Sequence, residues 1–331
     1  MINRYLKGDP IPWLVDSADP AVTYLTHRDL LPEGAADYSI LKNLSSPPFS
    51  PVSNEGIPGD MKNVDLFYKG TLWYFLFAAE CGYSCNSEFM TAAASFLIDK
   101  LSSEDKGFSL DWNPLTSTGC RTGLMVKALL KSGCCRERAA GGLEWILKNQ
   151  RFDGGWLHCP FNGTCDSLRL MFFKKPGRGL DFEKDNTRKS CPVATASCAE
   201  ALIESGRSDY IPFINRAAEY FLSGKIFIDS GKEILQCGQI IDLGLRGYPV
   251  MTQVDSVSVL DIIFSSDLWP DKRSGKPFNE LMKKQGPGGI WKCENRHPGI
   301  IKGKGADRWV TLSVLRLLKK ITSREDQLSK A

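Results

Sequence analysis

Two stretches of the chain read alike: Gln150-Arg-Phe-Asp-Gly-Gly-Trp156 and Gln285-Gly-Pro-Gly-Gly-Ile-Trp291, both of the form Q-x3-G-x-W. Each closes a segment with helical spacing and a polar stripe, ERAAGGLEWILKNQ (137–150) and PFNELMKKQ (277–285). A glutamine at a helix end can bond open backbone groups of the next layer, a glycine permits a tight reversal, and a tryptophan stacks over it. An element of this kind, met twice in one chain, marks a repeat architecture whose layers it ties together.

Working outward, the helical segments are of two kinds. One is nearly all apolar or small: GTLWYFLFAAECG (70–82), CRTGLMVKALLKSG (120–133), CPVATASCAEALIESG (191–206), VDSVSVLDIIF (254–264) and DRWVTLSVLRLLKK (307–320). These read as inner helices buried on most faces. The other kind carries a polar stripe and buries one face, as in EFMTAAASFLIDKL (88–101) and PFINRAAEYFLSGK (212–225). An earlier helix opens at Asp19-Pro20, an N-cap with proline at the first helical position, and stops at Leu31-Pro32. Alternating strands with hairpin turns are nearly absent, so the fold class is all-α.

The composition agrees. The 331 residues are 42% hydrophobic, 24% charged and 10% aromatic, which excludes disorder, collagen and coiled coil. A net charge of +4, with no dense basic block, argues against a nucleic-acid partner. Met1 to Leu31 lacks a signal-peptide apolar run, and no segment approaches the roughly 20 apolar residues that span a bilayer. The expectation is a cytoplasmic protein without a transmembrane segment, peripheral membrane contact being left open.

The Q-x3-G-x-W element resembles the QW repeat of squalene-hopene and oxidosqualene cyclases. The alternating helices resemble the α/α toroid that those cyclases share with the β subunits of protein prenyltransferases. The resemblance implies a single toroid domain over 64–321, with residues 1–63 as an N-terminal helix and extended connection packed on it and 322–331 as a polar tail. It implies a hydrophobic small molecule, isoprenoid or lipid, in the central cavity, handled by a transferase or a cyclase/isomerase. The cyclases' D-x-D-D and D-D-x-x-D elements do not occur here. Of the prenyltransferase zinc ligands, Asp255 is kept, while Val257 and Val310 stand where cysteine and histidine would be.

Three expectations about sites follow. Asp255 and Asp307 start inner helices at one mouth of the toroid, as acid/base groups or as helix caps. Of eleven cysteines, six (Cys120, Cys159, Cys165, Cys191, Cys237 and Cys293) fall toward that mouth. Cys120, Cys159, Cys165 and Cys191 suit zinc or an iron–sulfur cluster, since helix N-termini favour thiolate. Buried apolar cysteine and a redox thiol pair remain as alternatives. The cavity is expected to be lined by apolar and aromatic residues such as Leu72, Trp73, Phe75, Phe77, Met125, Trp309 and Leu312, or to be filled by them, leaving a lipid-binding or interaction scaffold. The charged segment Phe172 to Lys189 is expected to be a solvated insertion or a lid.

Overall fold

The computed structural model describes residues 2–32, 34, 37, 39, 64, 70–110, 113–157, 189–224, 232–234, 240–242, 247–248, 254–296 and 305–329. The helices are α1 (Ile11–Val15), α2 (Pro20–Leu30), α3 (Thr71–Glu80), α4 (Glu88–Leu101), α5 (Gly119–Ser132), α6 (Arg136–Lys148), α7 (Pro192–Glu204), α8 (Ile211–Ser223), α9 (Ser256–Phe264), α10 (Gly275–Lys283) and α11 (Gly305–Leu328). Strand among the described residues is limited to three short two-stranded ladders. The fold is all-α.

Burial separates the two kinds of helix as the sequence suggested. In α3 the nine residues Thr71 to Ala79 are all buried, whereas α8 buries only Ile214, Ala217, Ala218, Phe221 and Leu222 on one stripe. The inner helices α3, α5, α7, α9 and α11 stand side by side. Their direction is visible where α5 meets α7. A Cβ at Gly119 would stand 3.2 Å from the Ala194 Cβ, one at Gly123 would stand 2.4 Å from the Ser197 carbonyl carbon, and Lys127 reaches Glu200 at 2.9 Å. Both partners advance together, so the helices are parallel. Gly123 lets two backbones approach closer than any side chain permits.

The Q-x3-G-x-W strings perform one job twice. Trp156 and Trp291 are fully buried, and their Nε1–H groups donate to the carbonyls of Ile146 and Leu281, each at 2.8 Å. Their backbone N–H groups donate to Thr195 Oγ1 of α7 (3.2 Å) and Thr311 Oγ1 of α11 (3.0 Å). Gln150 donates to the Phe213 carbonyl at 2.9 Å and accepts from Arg216 Nε at 2.8 Å, both on the next outer helix, α8. Gln285 accepts the Lys7 N–H at 2.8 Å. The N-terminal segment thus stands to the second string as α8 stands to the first, which closes the ring.

A third copy is present without its letters. Ser102-Ser-Glu-Asp-Lys106-Gly107-Phe108 has the same length, Lys106 (φ 72°) in the left-handed conformation of Gly154 (φ 86°) and Gly289 (φ 75°), and a Phe108 N–H donating to Thr122 Oγ1 at 2.9 Å. Arg138 of α6 donates to Ser102 Oγ at 3.0 Å, as Arg216 does to Gln150.

Helix α2 fills the outer place of the last pair. Asp19 caps it by accepting from Ala21 N (3.1 Å) and accepts Trp309 Nε1 of α11 at 2.9 Å, while Lys319 donates to the Asp29 carbonyl at 2.6 Å. One expectation about the C-terminus is corrected. The inner helix expected over 307–320 continues to Leu328, because Glu325 accepts from Tyr5 Oη at 2.9 Å and pairs with Arg4. Residues 322–328 are therefore helix that holds the N-terminal segment, not a tail.

Candidate functional site

A cavity of about 280 Å³ lies on the axis of the ring, and all five inner helices line it. Its walls are divided. Leu76, Leu124, Ala196, Val257 and Trp309 form an apolar part, within about five residues of their helix starts. Glu80, Lys127, Lys131, Glu200, Asp261, Arg316 and Lys320 form an ionic part nearer the helix C-termini. Lys127 and Glu200 each lie eight residues into their helices and Glu80 nine, roughly 12–14 Å along the axis. That common depth is why they meet.

Lys127 bridges Glu80 and Glu200, both at 2.9 Å, and Lys131 reaches Glu80 at 2.6 Å. Three inner helices are thereby joined across the ring. Lys320 of α11 pairs with Asp261 of α9 at 2.5 Å and donates to Ser265 Oγ at 3.0 Å. Arg316 pairs with Asp29 of α2. Burial by itself would raise the Glu80 carboxyl, but Lys127 and Lys131 outweigh it and hold that group well below the usual carboxylate range. Burial would likewise lower Lys127, and Glu200 and Glu80 raise it instead. Both groups stay charged at every physiological pH. Lys131, in the last turn of α5, also meets the negative end of that helix dipole.

Of the residues expected to line the cavity, Trp309 does so. Leu72, Phe75, Met125 and Leu312 are instead fully buried, and neither they nor the buried Trp73 and Phe77 line the cavity. Apolar side chains pack between helices, where they lose most water, and the charges that the inner helices carry are left for the axis.

Asp255 and Asp307 are buried at the opposite, N-terminal mouth and neither lines the cavity. Asp255 caps α9, accepting from Ser258 N at 2.9 Å and Gly247 N at 3.4 Å. Burial raises its carboxyl above the usual range, and those two N–H groups counter the shift in part. Asp307 accepts the Cys293 N–H at 2.8 Å. Cys191 is the N-cap of α7, and its N–H donates to the Trp156 carbonyl at 2.8 Å. Cys191, Asp255 and Asp307 each stand four residues before the second-turn position that in α7 and α11 is the string-binding threonine.

Cys120, the other described member of the thiol set, is buried at the start of α5, 3.7 Å from Thr118 Oγ1. Cys198 of α7 donates to the Gly119 carbonyl at 3.2 Å, and burial raises its thiol well above the usual value. Cys159, Cys165, Cys237 and most of the segment 172–189 lie outside the described residues. Among the described residues, no group of three or more His, Cys, Asp or Glu is placed to hold a metal ion.

The ionic part of the cavity was missed from sequence, although a signal exists. Lys127 and Lys131, Glu200 and Glu204, and Arg316 and Lys320 are i, i+4 pairs in otherwise apolar helices. Such a spacing puts both charges on one helix face.

No known family profile matches the chain, and no curated protein is similar to it. Solved structures are similar at low identity. The type II terpene cyclase MstE from Scytonema, without ligand, is 13% identical with a TM-score of 0.44, over 97% of this chain and 88% of that one. A variant of the same cyclase in complex with geranylgeranyl dihydroxybenzoate is 14% identical with a TM-score of 0.43, over 96% and 86%. A protein from Actinoplanes is 15% identical with a TM-score of 0.43, over 96% and 89%. No helix among the described residues is long and apolar enough to cross a membrane.

Proposed function

We propose that the chain binds a small amphipathic molecule in its axial cavity, an isoprenoid or other apolar part lying against Leu76, Leu124, Val257 and Trp309 and a polar end meeting the ion network. The observation that carries this reading is the division of one cavity wall, built by five helices, into an apolar part and an ionic part. Ligand pockets run from about 300 to 1,000 Å³, so a space of about 280 Å³ suits a short chain rather than a polycyclic product. An acid/base step at Asp255 or Asp307 and a thiolate-bound metal held among Cys120, Cys159, Cys165 and Cys191 are separate proposals. Elemental analysis for zinc and iron tests the second.

A second reading has its own observation. Lys127 spans from Glu80 to Glu200 and already occupies part of the axis, which favours a scaffold whose centre is structural. Calorimetric titration with short isoprenoid alcohols, carboxylates and diphosphates separates the two. Saturable one-to-one binding that is lost on Leu124→Trp, with the fold kept by circular dichroism, supports the ligand site. Absence of binding across the set, or binding unchanged by Leu124→Trp, leaves the scaffold.

A further inference from the structure

Three cysteines gather at the end of the ring where the inner helices finish. Cys85 follows α3, and Cys134 and Cys135 form the turn between α5 and α6. The turns are held together by the Cys85 N–H, which donates to the Ser132 carbonyl at 2.9 Å. Thr91 Oγ1 donates to the Cys85 carbonyl at 3.0 Å and fixes that residue from the other side. A Cβ placed on Gly133 would lie 3.8 Å from the Cys85 sulfur, so that sulfur sits over the residue next to Cys134. Cys85 and Cys135 are exposed, Cys134 is buried, and all three are free thiols.

We propose that Cys85 and Cys134 are an oxidative modification site, closing to a reversible disulfide that ties the exit of α3 to the exit of α5. The accessible partner reacts first. A hydroperoxide is attacked at its O–O bond by the Cys85 thiolate, giving a Cys85 sulfenic acid and releasing an alcohol or water. The Cys134 thiol then attacks the sulfenic sulfur with loss of its proton, water leaves, and the S–S bond forms. Two thiols are oxidised, and one peroxide bond is reduced. Burial, with the nearby Cys85 and Cys135, raises the Cys134 thiol above its usual value, so the exposed Cys85 is the one that meets the peroxide. Glu80 and Lys131, which pair at 2.6 Å on the cavity wall, stand five residues before Cys85 and three before Cys134. The bond therefore clamps the two helices at the ionic end of the cavity, whatever the cavity holds.

Treatment of the full chain with hydrogen peroxide, followed by non-reducing peptide mapping, tests the site. A Cys85–Cys134 linked peptide that dithiothreitol removes is the expected result. A rise in Tm of several degrees accompanies it, is lost in Cys85→Ser and persists in Cys135→Ser. Since Cys85 and Cys135 are exposed, both variants keep the fold, which circular dichroism verifies. A Cys134–Cys135 link, a dimer through Cys85, or Cys85 sulfinic acid without any linked peptide overturns the assignment.

Discussion

Replacing Gly154 by alanine, alongside the same change at Gly206, tests whether the Q-x3-G-x-W string is a staple between layers. Both glycines are left-handed, with φ of 86° and 66°. Alanine in that conformation costs roughly 1–2 kcal/mol, and the loss of unfolded-chain freedom returns about 0.4–1 kcal/mol. Their surroundings differ. At Gly206 a Cβ meets nothing within 4 Å, whereas at Gly154 it falls 2.2 Å from the Arg216 carbonyl oxygen, inside α8. Relieving that contact needs a shift of about 1 Å in a helix whose Arg216 and Phe213 both bond Gln150, and overpacking of this kind costs about 1–3 kcal/mol. The expectation is a loss of about 0.5–1 kcal/mol for Gly206→Ala and about 2–4 kcal/mol for Gly154→Ala. Urea unfolding monitored by circular dichroism measures both. Gly289→Ala, whose Cβ would fall 2.3 Å from the Gly8 oxygen, should match Gly154→Ala, since the strings are equivalent. Equal losses at Gly154 and Gly206 would refute the reasoning, because the clash would then count for nothing.

Lys127→Met should lower stability by about 2–3 kcal/mol at neutral pH, since it leaves Glu200 without its cation. Urea unfolding at neutral pH measures the loss, and a variant as stable as the unaltered protein would count against the network. In the unaltered protein the Glu80 carboxyl is held below its ordinary value of 4.5, so its contribution is full above that pH and lost as the pH falls below it, which an acid titration of Tm follows. Thr195→Val and Thr311→Val each orphan a buried tryptophan N–H and should cost about 1–3 kcal/mol, with Thr122→Val behaving alike at Phe108. Asp255→Ala should cost about 1–2 kcal/mol through the lost cap. Cavity binding measured by calorimetry should not change in that variant, and a loss of binding with the fold intact would give the residue a role beyond capping.

The alternation of apolar and striped helices was legible because burial on all faces and burial on one face leave different patterns in the residues themselves. Asp19-Pro20 announced its helix for the same local reason, and α4 spans Glu88–Leu101 as its spacing suggested. The third string was not legible. Lys106 adopts the glycine conformation and Phe108 replaces tryptophan, while the threonine that receives the string lies 14 residues on in one copy and 39 in another. Variable connections erase a fixed period although the bonds are the same.

The sequence by itself determined an all-α chain of alternating helices with two stapling strings and a cysteine distribution biased to the helix starts. Those properties follow from periodicity and capping, which act over a few residues. Only the tertiary structure decided that the N-terminal segment completes the ring against Gln285, that Cys85 lies beside Cys134, and that the axis is ionic. Which side of an almost wholly apolar helix faces its neighbours and which faces the centre depends on all five helices at once. The paired charges Lys127 and Lys131, and Arg316 and Lys320, settle there because the axis has room and counter-charges to receive them.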